Sequence, residues 1–331
     1  MKDLLMKLSL EAGTPGDEDA VAEVITNELR DCVDWIGKDN LGNLICHKKG
    51  AGKKVMLAAH MDEIGLMVTS IDENGFLRFT NVGGHTPVIL AGTRVQFNKD
   101  VSGVISFEHI DDIKELKFGK MYIDIGAKNK TEALTKVSVG SVATFLSQSQ
   151  VQGSRFIGKA LDDRVGCAVL INVLKEVKNS PYNIFGVFTV QEEVGLRGAR
   201  TAAYKIDPDI AFAIDLTLTG DTPGALNMSV KLGEGVAIKI MDRSIICHPS
   251  IKNALIEIAE KNTIPYQLEV LDRGGTDAGS IHISRGGIPT GALSIPGRYV
   301  HTANEMIDMD DAQNAINLFV KILQSAILED I

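Results

Sequence analysis

The chain has few cysteines, no excess of positive charge and no long apolar run. Cys32, Cys46, Cys167 and Cys247 lie far apart without a CxxC pair, which reads as free buried thiols and fits the cytoplasm. Acidic residues outnumber basic ones, 43 to 34, for a net charge of −9. A nucleic-acid surface would want the opposite balance. No run approaches the about 18 apolar residues of a membrane helix. The opening MKDLLMKLSLEAGTPGDED carries an acid at position 3 and only a short amphipathic segment, so no signal peptide is expected. What is there is ordinary: 44% hydrophobic and 23% charged residues, enough for one large domain or two smaller ones. Whole-chain disorder is excluded, and neither a tandem repeat nor a low-complexity segment is present.

Two textures alternate along the chain. Residues 17–30, DEDAVAEVITNELR, place acids in the first turn, apolar residues at helical spacing and an arginine at the end. KKVMLAAH (53–60) reads as a strand buried on both faces of a sheet. From about 64 to 150 the runs shorten: IGLMVTSI, GFLRFTNV, TRVQFN and SGVISF, parted by ENG, GG and NKD turns. That pattern predicts an antiparallel β unit, a meander or a barrel. After 155, helical and strand segments alternate again (DDRVGCAVLINVLKEVKNS, NIFGVFTVQ, GLRGARTAAYKI, DIAFAID, SIKNALIEIAEKN, IPTGALSIP) up to a terminal helix. The expected architecture is α/β: a mixed, mostly parallel sheet over 1–65 plus 153–331, with a β domain over 66–152 inserted.

The stretch VFTVQEEVGLRGA (187–199) poses a problem. A strand interior sends successive side chains to opposite faces, so it cannot aim Glu192 and Glu193 at one place. The strand is expected to end at Gln191, with the glutamates either solvated or serving a site where the chain turns. Other polar residues share that location. His60 ends one strand and Asp62 follows two residues later; Asp215 ends another strand; His301 comes just after GALSIP; Asp162 and Asp163 stand before a helix. Each has a plain alternative. An aspartate before a helix can be its N-cap, a histidine can be a hydrogen-bonded core residue, and acids can sit in loops. One metal site explains all five segments together, in the place where open α/β sheets form their sites. Histidines with carboxylates make a set suited to zinc, cobalt or manganese.

The segments HMDEIG (60–65), ALDDRVG (160–166), VQEEVGLRGA (190–199), AIDLT (213–217), GGTDAGSIHISRGGIPTGALSIPGRYVH (274–301) and TANEMID (302–308) resemble the tetrahedral (TET-type) aminopeptidases, also called glutamyl or deblocking aminopeptidases. The likeness runs from the TPGDE turn to the last helix, every motif in order. It implies a phosphorylase/hydrolase-like catalytic domain, an inserted barrel-like dimerisation domain, and dimers assembling to a dodecamer. It also implies two divalent metal ions bridged by Asp162, zinc or cobalt first and manganese next. His60 and Asp215 would complete one site, Glu193 and His301 the other. Glu192 would be the general base, Asp62 would orient His60, and the Asp162–Asp163 peptide would be cis. Short peptides are the implied substrates, with no nucleic-acid or membrane partner.

Three other functions stay open at this point: a metal-dependent deacylase or carboxypeptidase on a related fold, a glycosidase with paired carboxylates, and a non-catalytic peptide-binding shell. Arg243, His248, Asp277 and Arg285 are weaker pocket candidates, each with a structural alternative. His85 is either a turn histidine or a residue reaching a neighbouring subunit.

Overall fold

Four parallel strands form the middle of the larger sheet, in the spatial order Asn183–Thr189, Lys54–His60, Ile210–Thr217 and Thr290–Arg298. They come from a computed structural model that describes residues 1–225 and 227–331. Their sequences are nearly continuous apolar runs because helices cover both faces. Alternation along Lys54–His60 shows this directly. Val55, Leu57 and Ala59 enter one core with Leu5, Leu8, Val165 and Phe319. Met56 and Ala58 enter another, against Ala199, Ala202 and Ala203 of the helix Arg197–Ile206. Each fully buried leucine or phenylalanine in these layers contributes about 1.5–3 kcal/mol.

The sheet continues antiparallel on both sides. Leu44–Lys48 and Trp35–Lys38 close one edge; Glu305–Asp308, Arg155–Gly158 and Gln150–Gln152 extend the other. Val236–Met241 and Tyr266–Val270 branch from Thr290–Arg298. Because the central strands are parallel, their carboxyl ends share one rim. Thr189 lies opposite His60, and Asp215 opposite Ser294.

The short alternating runs close into a six-stranded antiparallel barrel, from Gly65–Ile71 to Val142–Phe145. It has its own core, which includes Leu66, Leu77, Val95, Ile123 and Phe145. Closure removes the free strand edges that an open meander would leave. The DENG turn shows why such turns punctuate the runs: Asp72 accepts the backbone N–H groups of Asn74 and Phe76, and Gly75 takes a positive φ of 91°.

Boundaries differ from expectation in three places. Gln150–Gln152 forms a hairpin with Arg155–Gly158, so the chain re-enters the larger sheet before residue 153. The first long helix covers Asp19–Leu29, shorter than 17–30, and Arg30 is its C-cap. The strand leading to the paired glutamates ends at Thr189, not Gln191. There the side-chain amide of Asn43 accepts the Val190 N–H, which leaves the strand ladder.

Candidate metal centre

Three backbone features build the turn after Thr189. Gln191 and Leu196 both adopt left-handed conformations, with φ of 56° and 55°, and Gly195 takes φ of 122°. Gly198 serves a close approach: a Cβ there would meet the Val190 carbonyl oxygen at 2.4 Å. Asp62 then fixes the pair, accepting the Glu192 N–H on Oδ1 and the Glu193 N–H on Oδ2, both at 3.0 Å. Neighbouring side chains on this turned backbone reach different places.

Asp162 lies between the two histidines. His60 Nε2 is 3.1 Å from its Oδ1, and His301 Nε2 is 3.3 Å from its Oδ2. His60 Nε2 also lies 3.8 Å from Asp215 Oδ1 and 3.9 Å from Glu192 Oε2. His301 Nε2 lies 3.3 Å from Glu193 Oε1, an oxygen that is buried and without a hydrogen-bond donor. Three groups therefore gather their ligand atoms within 4.8 Å: His60, Asp162 and Asp215; Asp162, Glu193 and His301; and His60, Glu192 and Glu193. The first two share Asp162 and are the sets expected from the sequence. The third would make Glu192 a ligand instead of a base.

The electrostatics fit cations. Asp62, Asp162, Asp163, Asp215 and Asp277 are buried, and Glu192 and Glu193 are largely so. Uncompensated carboxylates are costly in such a place. Burial pushes the Glu192 carboxyl well above the usual range; His60 opposes this, and Asp215, Glu193 and Asp277 add to it. Asp215 is raised likewise by burial and by Asp162. Burial works against charge on His301, yet Asp162 and Glu193 push it up to about 12. Asp162 responds in reverse: burial would raise its carboxyl, but His301 and His60 hold it below the usual range. Two histidines among this many carboxylates, with an orphaned Glu193 oxygen, form a donor set that divalent ions fit.

The surroundings hold these side chains in place. His60 Nδ1 lies 3.1 Å from the Asp62 carbonyl oxygen and 3.5 Å from its Oδ1. Asp163, beyond a cis peptide bond, accepts the N–H of His60 and of Gly166. A Cβ at residue 166 would meet that carboxylate at 2.3 Å, so only glycine fits. Asp277 accepts the Thr189 hydroxyl at 2.5 Å.

Two groups went unread in the sequence. Glu305 accepts the N–H of Asp162 at 3.0 Å and of His301 at 2.8 Å, so one carboxylate sets the backbone of two candidate ligands. Arg164, fully buried, donates to the Met61 carbonyl between His60 and Asp62, and to the carbonyls of Leu8 and Glu11. Both act on backbone groups from afar, and no local pattern announces that. His85 is half-buried in the segment after Leu77–Val82: its Nε2 faces the carbonyls of Gly65 and Val82, and burial lowers its pKa to about 4. Arg285 stacks on Tyr204 at 4.1 Å, His248 is the N-cap residue of Pro249–Lys261, and Arg243 is exposed; none of the three lines the cavity at the ligands.

The sequence model for M42 glutamyl aminopeptidase matches residues 42–318, and the chain belongs to that family. A protein of Acetivibrio thermocellus named "Putative aminopeptidase" is 53% identical over 98% of both chains. Aminopeptidase APDkam598 from the archaeon Desulfurococcus kamchatkensis superposes with a TM-score of 0.94, at 38% identity over 97% of this chain and 94% of that one. The TET1 peptidase of Pyrococcus horikoshii, which can assemble into a tetrahedron or a large octahedral shell, gives 0.87, at 34% identity over 97% and 98%. Among the described residues no helix is long and apolar enough to cross a membrane.

Proposed function

We propose that the protein is a dinuclear metallo-aminopeptidase that releases the first residue of short peptides. The observation that carries this reading is Asp162, whose two oxygens face two separate His-carboxylate sets. His60, Asp162 and Asp215 would hold one divalent ion; Asp162, Glu193 and His301 the other. Zinc, cobalt and manganese suit such ligands. Ions bound there supply an acidified water and Lewis-acid polarisation of the scissile carbonyl. Glu192, its carboxyl raised by burial, takes a proton from the attacking water and delivers it to the leaving amine. Asp62 keeps the Glu192 backbone fixed while the side chain works. A cytoplasmic location fits the four free cysteines.

The test is a panel of aminoacyl-p-nitroanilides with the chelated and reconstituted protein. Chelation should abolish turnover, and zinc, cobalt or manganese should restore it, while N-blocked substrates stay intact. Cleavage of blocked substrates alone would favour a deacylase or carboxypeptidase, and chelator-insensitive turnover would end the metal reading. A glycosidase would need only two carboxylates and leaves His60, His301 and Asp215 without a task.

The inserted barrel is proposed to supply the contacts of a homo-oligomer built from dimers, with a dodecamer as the assembly. The assembling Pyrococcus relative supports this. So do the exposed apolar side chains of Val88, Ile89, Val104 and Ile113 on the barrel unit. Replacing Val88 and Ile89 by aspartate should give a smaller particle in light scattering with the monomer fold intact by circular dichroism. An unchanged particle would refute the assembly role of this surface.

A further inference from the structure

The cavity at the centre, about 620 Å³, extends past the ligands to a wall formed by Lys239, Asp242 and Thr276. This wall carries its own charges. Lys239 Nζ donates to Glu269 Oε1 at 2.6 Å and lies 3.4 Å from Asp242 Oδ2. Thr217 donates its hydroxyl to the same Glu269 oxygen at 2.6 Å. Burial works against the Lys239 charge, and Glu269 and Asp242 more than restore it. One ammonium thus stands among two carboxylates, all three buried, leaving one negative charge uncompensated. Asp242 Oδ1 is fully used by the N–H groups of Ser244 and Ile245 and by the Ser244 hydroxyl. Asp242 Oδ2 has no hydrogen-bond partner although its side chain is 0% exposed, and the Thr276 hydroxyl is likewise unpartnered. Arg273 also lines the cavity, but its side chain is half exposed and paired with Asp272.

We propose that this wall selects peptides whose first residue has a basic side chain, with Asp242 as the residue that receives its charged head; the proposal rests on the aminopeptidase reading. A lysyl or arginyl head brings the missing donors and the missing positive charge. Its aliphatic stem runs along Leu216, Leu218 and Leu271, which line the same cavity. A leucyl side chain fills the space and leaves Asp242 Oδ2 unsatisfied. A glutamyl side chain adds a second negative charge next to Asp242.

The test uses the full-length, metal-loaded protein and lysyl-, arginyl-, leucyl- and glutamyl-p-nitroanilide. The expected order of kcat/KM is basic first by about tenfold over leucyl, with glutamyl last. Asp242→Asn should lower the lysyl-to-leucyl ratio by about tenfold, mainly through KM. A wild-type preference for leucyl or glutamyl overturns the proposal, and so does an Asp242→Asn loss equal on all substrates. Because the wild-type order decides by itself, a variant that fails to fold does not rescue the idea. No turnover of any of the four substrates would instead overturn the peptidase reading beneath it.

Discussion

Glu192→Gln is expected to lower turnover by about 10² to 10⁴-fold while the metal content stays near that of the native protein. The amide keeps the shape and the reach of the carboxylate but cannot take a proton. KM should move much less, because the lost interaction acts in the transition state. Glu193→Gln should fail differently. Its oxygen lies 3.3 Å from His301 Nε2 in the shared ligand set, so the variant should lose occupancy there and regain part of its activity with excess metal. Activity plotted against added metal separates the two. The arrangement of His60, Glu192 and Glu193 as a third possible set makes this comparison necessary. Rescue of Glu192→Gln by metal, with none for Glu193→Gln, would reverse the assignment of the pair.

Asp162→Asn should produce the broadest defect. Both of its oxygens face histidines, and its carboxyl is held in the charged form by them. Replacing it removes a candidate ligand from both sets. Activity should fall at least as far as in Glu192→Gln. Metal content should drop at both positions, and excess metal that revives Glu193→Gln should not revive this variant. His301→Ala, which touches only one set, should retain about one equivalent. Metal analysis by mass spectrometry checks both variants. An Asp162→Asn protein retaining its full metal load would show that the aspartate bridges nothing.

Much of this was legible because a parallel sheet turns sequence position into spatial position. His60, Asp215 and the paired glutamates each follow an apolar run, and parallel strands bring the ends of such runs to one rim. An antiparallel β unit, meander or barrel, was legible from short alternating runs with ENG and GG turns; its closure into a barrel is set by strand pairings distant in sequence, such as Leu66 with Ala143. The unread residues share a different property: they act through hydrogen bonds to distant backbone. Glu305 sets Asp162 from 143 residues away, and Arg164 holds Met61 across 103. The same holds for Asp62, whose expected partner was His60 alone. Its carboxylate also fixes the Glu192 and Glu193 N–H groups, a contact over 130 residues that no spacing rule reveals. The early end of the strand at Thr189 has the same origin, since the Asn43 side chain takes the place of a strand partner for Val190.

The central claim is a two-metal site shared through Asp162. Elemental analysis of the metal-saturated protein, with turnover followed during stepwise addition of zinc or cobalt, tests it most directly. The account predicts binding that reaches two equivalents per chain, with full activity only near the second. A plateau at one equivalent accompanied by full activity would contradict it.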